Sequence, residues 1–397
     1  MTGKPAIEGG APVRETFLPF SRPAISEAEI RAMAAAMRTG WLTMGPKVLE
    51  FEERFREHVG TRNAVAMSSC TAVLHTALHA AGVRPGDEVI TSPFTFASTA
   101  NVVAHLGAKP VFADIEPDTF NLDPALAEKA VTDRTRAIVP VHFGGHPCDM
   151  EPIAELATSH NLFLLEDAAH AFGARYRDRI IGSIGDVTAF SFYATKSLTT
   201  GEGGMATTND DRLAERLRIL RLHGIDRDAW KRYMAEGTWY YEVREAGFKY
   251  NLTDPQAAMG LVQLARADRL WRSRRRLAAR LSKGLADVAT ITLPHERPGV
   301  THAWHLYPIL LDLARLRIDR ARFIEALRAE NIGSSVHFIP LHLQPYYQAR
   351  FGYSKGDFPV AESTYERVVS LPLYPGMSRD DAQDVIDAVR KLAAFYG

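Results

Sequence analysis

The sequence predicts an α/β protein: a large domain built on a mainly parallel sheet of seven strands, with a smaller α+β domain after it. Three observations carry this. Short, nearly continuous apolar runs alternate with helical stretches from residue 63 onward, the pattern of parallel strands buried on both faces. The 397 residues exceed the ~250–300 at which one hydrophobic core stops growing. Beyond residue 255 a long helical pattern gives way to strand, helix, strand and an amphipathic helix at 380–395.

Residues 1–39 form a lead-in and a helix. Pro5, Pro12, Pro19 and Pro23 keep the first part extended or looped. Ser26, with Glu29 three residues on, is a capping box; Ile30, Met33 and Met37 follow at helical spacing, and Thr39-Gly40 ends the helix. Residues 40–254 are the large domain. Its strands fall at 63–67, 88–92, 109–114, 136–142 and 162–167, with helices near 71–81, 96–106, 123–131 and 150–159. Strands at 186–192 and 204–208 follow with no full helix between them. A parallel crossover needs about a dozen residues, so this pair reads as antiparallel. Residues 255–397 begin with a single long helix to about 287, with Pro255 in its first turn, and continue as the small domain.

The charges balance, 47 Lys+Arg against 47 Asp+Glu, which gives no basic surplus for a nucleic-acid backbone. Cys70 and Cys148 are the only cysteines, so a disulfide scaffold is excluded and a reducing compartment fits. No apolar run reaches the roughly 20 residues of a membrane span. Residues 1–20 lack the basic start and apolar stretch of a signal peptide. The expectation is a soluble cytoplasmic enzyme.

In open α/β sheets ligands sit beyond the carboxyl ends of the strands, and four polar clusters fall at such ends. Ser68-Ser69-Cys70-Thr71 opens a helix; it either caps that helix or offers amides and hydroxyls to an anion. Glu166-Asp167-Ala168-Ala169-His170 follows an apolar strand. A buried Asp there needs a cationic partner or several donors, from an internal pair or from a protonated pyridine nitrogen. Lys196, after Ser191-Phe192-Tyr193-Ala194-Thr195 and before Thr200-Gly201-Glu202-Gly203-Gly204, is a surface lysine or one that forms a Schiff base. Phe94-Thr95-Phe96-Ala97-Ser98-Thr99 supplies core aromatics or one to stack on a flat ring. Together the clusters ask for a phosphate, a basic ring nitrogen and an amine-reactive aldehyde. Pyridoxal 5′-phosphate (PLP) has all three.

At this point the sequence resembles the DegT/DnrJ/StrS-type sugar aminotransferases, PLP-dependent enzymes of the aspartate-aminotransferase (type I) fold. The resemblance runs from Gly40-Trp41-Leu42-Thr43-Met44-Gly45-Pro46 through Gly86-Asp87-Glu88-Val89-Ile90 and the clusters above. It continues to Lys249-Tyr250-Asn251-Leu252-Thr253-Asp254-Pro255-Gln256-Ala257-Ala258 and His337-Phe338-Ile339-Pro340-Leu341-His342. It implies that Lys196 carries PLP and moves the proton, that Asp167 faces the pyridine nitrogen, and that His170 lies beside the ring. It also implies that Phe96 covers the ring and that Ser69, Cys70, Thr71 and Ser191 contact the phosphate. Asn251 would reach the phosphate of a neighbouring subunit, which implies a homodimer with shared sites. Cys70 departs from the Gly, Ala or Ser more usual in the family, at a position whose expected contact is a backbone amide. His305, His337, His342 and Tyr193 are candidates to line the sugar site; the histidines also read as core residues.

The activity implied is transfer of an amino group from L-glutamate to carbon 4 of a nucleotide-linked 4-keto-6-deoxy sugar, for which residues 335–347 carry the closest likeness. A keto-inositol or other keto-sugar aminotransferase is the alternative. A dehydratase of the same family has histidine in place of the lysine, and Lys196 counts against it. A non-catalytic PLP-binding regulator is disfavoured by the intact lysine. His142, His146, Cys148 and Asp149 lack a second ligand pair at zinc spacing, so no metal is expected. Arg266, Arg269, Arg272, Arg274, Arg275, Arg276 and Arg280 read as a solvated or salt-bridged helix face, one or two of which could meet a diphosphate.

Overall fold

The computed structural model describes residues 3–226 and 240–397. The first helices are α1 (Glu27–Arg38) and α2 (Pro46–Val59). There follow β1 (Asn63–Met67), α3 (Cys70–Ala80), β2 (Glu88–Thr91), α4 (Ala97–His105), β3 (Lys109–Phe112), α5 (Pro124–Lys129), β4 (Thr135–Val139), α6 (Met150–Ser159) and β5 (Phe163–Asp167). A two-residue pair, β6 (Arg175–Tyr176) and β7 (Arg179–Ile180), precedes β8 (Val187–Ser191), β9 (Gly204–Thr208) and α7 (Asp211–Leu220). The seven long strands make one sheet in the order β1-β9-β8-β5-β4-β2-β3. Strands β3, β2, β4, β5 and β8 pair in parallel. Strand β9 runs antiparallel to both its neighbours, β8 and β1, and its pairing with β8 is the one expected from a connection with no full helix.

The remaining elements are α8 (Asp254–Ala265), α9 (Ala267–Leu285), β10 (Ile291–Thr292), β11 (Val300–Thr301), β12 (Tyr307–Leu311), α10 (Arg320–Ala329), α11 (Pro345–Phe351), α12 (Pro359–Arg367), β13 (Val368–Leu371) and α13 (Arg379–Tyr396). Strands β10, β12 and β13 form a second, antiparallel sheet. Its Tyr307, Ile309, Val369 and Leu371 share a core with Leu277, Leu281, Phe323, Val385 and Leu392 of the covering helices. The first residues of the chain belong to this layer: the amides of Ala6 and Val13 donate to buried Glu330 (both 2.8 Å), which also pairs with Lys391.

Local chemistry explains most of the boundaries. Ser26 and Glu29 make the expected capping box. Glu29 is also fully buried, accepting from Gln263 (2.7 Å) and pairing with Arg266. That pairing sits where the expected single helix of 255–287 divides. At Arg266 the amide donates to the carbonyl of Gln263, three residues back, and the residue closes α8 while opening α9. The side chain is drawn toward Glu29 and Ser26 as the backbone turns. Helix α2, between the lead-in and β1, is not among the helices the sequence predicts. Its amides are capped from far along the chain: Asp254 accepts from Gly45 (2.7 Å), Lys47 (3.1 Å) and Val48 (3.2 Å). A cap 206 or more residues away leaves no local signature.

Candidate active site

Register brings the strand ends together. Met67 at the end of β1 and Ser191 at the end of β8 both face Gly204 at the start of β9, and Asp167 at the end of β5 faces Ala189. A Cβ on Gly204 would fall 2.4 Å from the carbonyl carbon of Ser69 and 2.6 Å from the amide of Cys70. Only glycine lets the start of α3 settle against β9. Over this junction opens a cavity of about 470 Å³, into which Ser69, Cys70, Thr71, Phe96, Asp167, His170, Ser191, Tyr193, Lys196, His305 and His337 all project.

Asp167 is buried. Its Oδ2 accepts from Thr99 Oγ1 (2.8 Å) and its Oδ1 from the amide of Ala169 (3.1 Å), with Cys70 Sγ 4.0 Å away. Burial pushes this carboxyl above its ordinary range, against the lowering by the Thr99 bond. A buried carboxylate held by neutral donors is poised for a cation. Lys196 lies in the turn after β8, its amide bonded to Tyr193 O (2.9 Å). Among the described residues its Nζ has no hydrogen-bond partner. Burial brings its ammonium down to about 8, although the nearby Asp167 carboxylate opposes this, so about a tenth of the amine is free at pH 7, far more than for an ordinary lysine.

Ser69 caps α3, its Oγ accepting from Ala72 (3.0 Å). The next two amides, of Cys70 and Thr71, make no hydrogen bond among the described residues and carry the positive end of the helix. Burial raises the Cys70 thiol well above its ordinary value, which keeps it protonated. The residues therefore offer an anion cradle, an uncompensated carboxylate and a free amine in one cavity. This set fits a phosphorylated pyridine aldehyde.

Three histidines form the opposite wall. His170 Nδ1 accepts from the amide of Gly144 (3.3 Å), which leaves the proton on Nε2. Its ring lies 4.4 Å from that of His305 and stacks on Phe338 at 5.9 Å. His305 is buried and its Nδ1 has no partner among the described residues. His337 Nδ1 lies 2.9 Å from Ser370 Oγ. Burial lowers His170 and His305 well below the ordinary value and His337 to about 4, so all three are neutral at pH 7. Phe96 stands 63% exposed at the mouth, 6.2 Å from the Phe338 ring.

Two expected residues lie elsewhere. His342 is fully buried away from the cavity, 2.8 Å from Glu362 and edge-on to Phe358. In this fold it is a core histidine rather than a sugar contact, because Glu362, twenty residues on, claims its Nε2. Asn251 bridges the backbone of Met67. Its side chain donates to Leu252 O (3.2 Å) and accepts from Lys249 Nζ (2.6 Å), outside its own chain's cavity. Conversely, Thr95, Phe338, Phe20 and Glu202 line the cavity, and Thr99 supports it through Asp167, without being candidates in the sequence. Thr95 and Thr99, whose hydroxyls are 3.0 Å apart, are four residues apart at a helix start, a spacing legible in the sequence. Phe20 carried no local signal. His142 and Cys148 are spoken for: His142 Nδ1 accepts from Cys148 N (3.0 Å) while Nε2 faces Glu166 (3.0 Å). Arg274, from the arginine run, is buried and donates to the carbonyls of Leu373 (2.7 Å) and His305 (3.2 Å), bracing the histidine wall. Among the described residues no helix is long and apolar enough to cross a membrane.

Residues 23–390 match the DegT/DnrJ/EryC1/StrS aminotransferase family. The chain is 53% identical over 380 residues to the spore coat polysaccharide biosynthesis protein SpsC of Bacillus subtilis, covering 96% of this chain and 98% of that one. Its fold superposes on Spr1654 of Streptococcus pneumoniae in its PMP form with a TM-score of 0.88 at 34% identity, covering 95% and 99% of the two chains. The PLP form of that protein gives the same score. The aminotransferase PseC of Helicobacter pylori, involved in the biosynthesis of pseudoaminic acid, gives 0.89 at 30% identity, covering 96% and 100%.

Proposed function

The chain belongs to the DegT/DnrJ/EryC1/StrS aminotransferase family, and from that premise we propose that it moves an amino group from L-glutamate to carbon 4 of a nucleotide-linked 4-keto-6-deoxy sugar. It is a PLP-dependent sugar aminotransferase. The gathering of Lys196, Asp167 and three neutral histidines in one cavity supports the cofactor chemistry, and the likeness of residues 335–347 supports the finer reading.

PLP supplies an aldehyde that takes up an amine and a ring that draws electrons from the carbon bearing it. Lys196 would hold the aldehyde through Nζ and, once displaced by the incoming amine, shuttle one proton between substrate and cofactor carbons. Asp167, fixed by Thr99 and Ala169, would set a negative charge against the ring nitrogen, and His170 would lie beside the ring. The amides of Cys70 and Thr71 and the hydroxyls of Ser69 and Ser191 would hold the phosphate, and Phe96 would cover the ring. His337, held through Nδ1 by Ser370 Oγ, has Nε2 left for a sugar hydroxyl, and His305 and His337, both neutral, can meet hydroxyls without bringing a charge into the cavity; Tyr193 stands at the mouth. In this reading residues 40–254 hold the cofactor, residues 255–397 carry the sugar wall, and Asn251 reaches the phosphate in the partner of a homodimer.

A nucleotide handle fits this chemistry, because binding energy from remote parts of a substrate orients the ketone carbon. The test is incubation of the purified holoenzyme with glutamate and a panel of nucleotide-linked keto sugars and a free keto-inositol, read by mass spectrometry. The aminated 4-keto-6-deoxy sugar and 2-oxoglutarate are the expected products. Efficient amination of the keto-inositol, with every nucleotide-linked ketone ignored, would replace this reading by the cyclitol one.

A further inference from the structure

A second concavity, of about 700 Å³, lies outside the catalytic cavity, between the segment before α1, the first turns of α9 and the turn after β13. Five arginines line it, Arg14, Arg22, Arg266, Arg269 and Arg276, against one carboxylate, Asp381. The whole chain is charge-balanced, so this concentration does not follow from a basic composition. Two of the five are committed. Arg14 pairs with Asp381 and Asp384, both at 2.8 Å, and Arg266 with Glu29 and Ser26. Arg22, Arg269 and Arg276 pair with no carboxylate and donate no side-chain hydrogen bond among the described residues.

The geometry suits one ligand chemistry. Arg269 and Arg276 are seven residues apart, two turns of α9, which sets them on one face about 10 Å apart along the axis. Ser273 between them donates to Pro375 O (3.1 Å) and holds the turn against the helix. Guanidinium groups present a planar fork of donors that matches phosphate oxygens, and the volume is that of a small-molecule site. The groove shares two segments with the catalytic cavity. Phe20 and Ser21 face the cavity while Arg22 faces the groove; Leu371 and Leu373 face the cavity while Tyr374 faces the groove. The Phe20 ring packs on His337 at 5.4 Å.

We propose that this groove is a phosphoanion site that takes a diphosphate group through Arg22, Arg269 and Arg276. The diphosphate has two sources: a free nucleoside diphosphate, or the handle of the nucleotide-linked substrate, and only the second rests on the function proposed above.

Binding is read without turnover, so its failure is separable from failure of the proposed reaction. PLP-loaded enzyme, whose own phosphate cradle is filled, is titrated with inorganic pyrophosphate by calorimetry. One saturable site per chain is expected, weakening as salt rises. It should lose affinity by about tenfold or more in Arg22→Gln and in the double variant Arg269→Gln/Arg276→Gln, since each removes a charged hydrogen-bond donor. Arg275→Gln, on α9 but outside the groove, should bind as the parent does, and an unchanged cofactor absorbance and melting temperature verify the fold of each variant. No saturable binding at millimolar pyrophosphate, equal binding by the double variant, or equal loss in Arg275→Gln would overturn the site. The KM for the nucleotide-linked sugar then assigns the source. A rise matching the pyrophosphate loss supports the substrate handle, and an unchanged KM with pyrophosphate binding lost supports a free phosphoanion.

Discussion

Asp167 carries an electrostatic burden that a cationic ring nitrogen beside it would relieve. Its carboxyl is buried among Thr99, Ala169 and Cys70 and held above its ordinary range, so in the cofactor-free protein its charge opposes folding. Because its proton is bound more tightly in the folded state, cofactor-free protein should gain stability as pH falls toward the raised value. Asp167→Asn tests both sides. Its amide can donate to Thr99 Oγ1, which can turn its own proton to Thr95 (3.0 Å), while its oxygen still accepts from Ala169. The melting temperature of the stripped variant should therefore not fall below that of the stripped parent. Turnover of the loaded variant should fall by roughly 100-fold or more, as when a strong electrostatic contact is lost. Lys196 gives a second expectation. With its ammonium lowered to about 8 by burial, covalent capture of added PLP by stripped enzyme should quicken as pH rises through that value, because only the free amine reacts. Lys196→Ala should show no visible absorbance band and no borohydride-stable label. A pH-independent capture rate between 6 and 10 would refute the role given to burial. Both residues were legible in the sequence as strand-end polar groups. Thr99 was visible only as part of a helix start, since its bond to a side chain 68 residues away is a tertiary fact.

Among the elements, α2 and α8 are stitched through one side chain. Asp254 is 2% exposed and accepts from three amides at the start of α2. Asp254→Ala would strand those amides and should cost about 1–3 kcal/mol, read as a lower urea midpoint with unchanged slope. The absorbance of Lys196-bound cofactor in the folded variant should be unaltered. This pairing also gives a physical reason for two motif pieces that stand 209 residues apart: Gly45-Pro46 begins a helix and Asp254-Pro255 caps it while beginning another. The strands were readable because burial on both faces writes a continuous apolar run. Helix α2 and the break at Arg266 were not, because each depends on a partner brought in by the fold, Asp254 in one case and Glu29 in the other.

For the whole molecule, the open question is whether a site is completed by a second copy. Asn251 lies outside its own chain's cavity, with its amide on Leu252 O and its oxygen facing Lys249. If it reaches the phosphate of a partner, mixing Lys196→Ala with Asn251→Ala subunits should restore activity in hybrid dimers, toward a quarter of the parent level for random exchange with one intact site per hybrid. Activity that stays at the level of the separate variants after verified exchange, or full activity in a stable monomer, would count against a shared site.

Strand count, the reversed last pair, the Ser26 box and the cluster of Lys196, Asp167 and Ser69–Thr71 came from the sequence by itself, because period, capping and strand-end position are encoded within a few residues. Which histidines face the cavity was decided only in three dimensions. His342 and His305 look alike in the chain, yet Glu362 draws one into the core, while Arg274 braces the carbonyl of the other and its ring turns to His170. The same holds for the arginine run. Arg274 is buried by carbonyls up to 99 residues away, whereas Arg269 and Arg276, on another face of the same helix, open onto a groove. A side chain's role depends on the partner that folding delivers, and local pattern does not specify that partner.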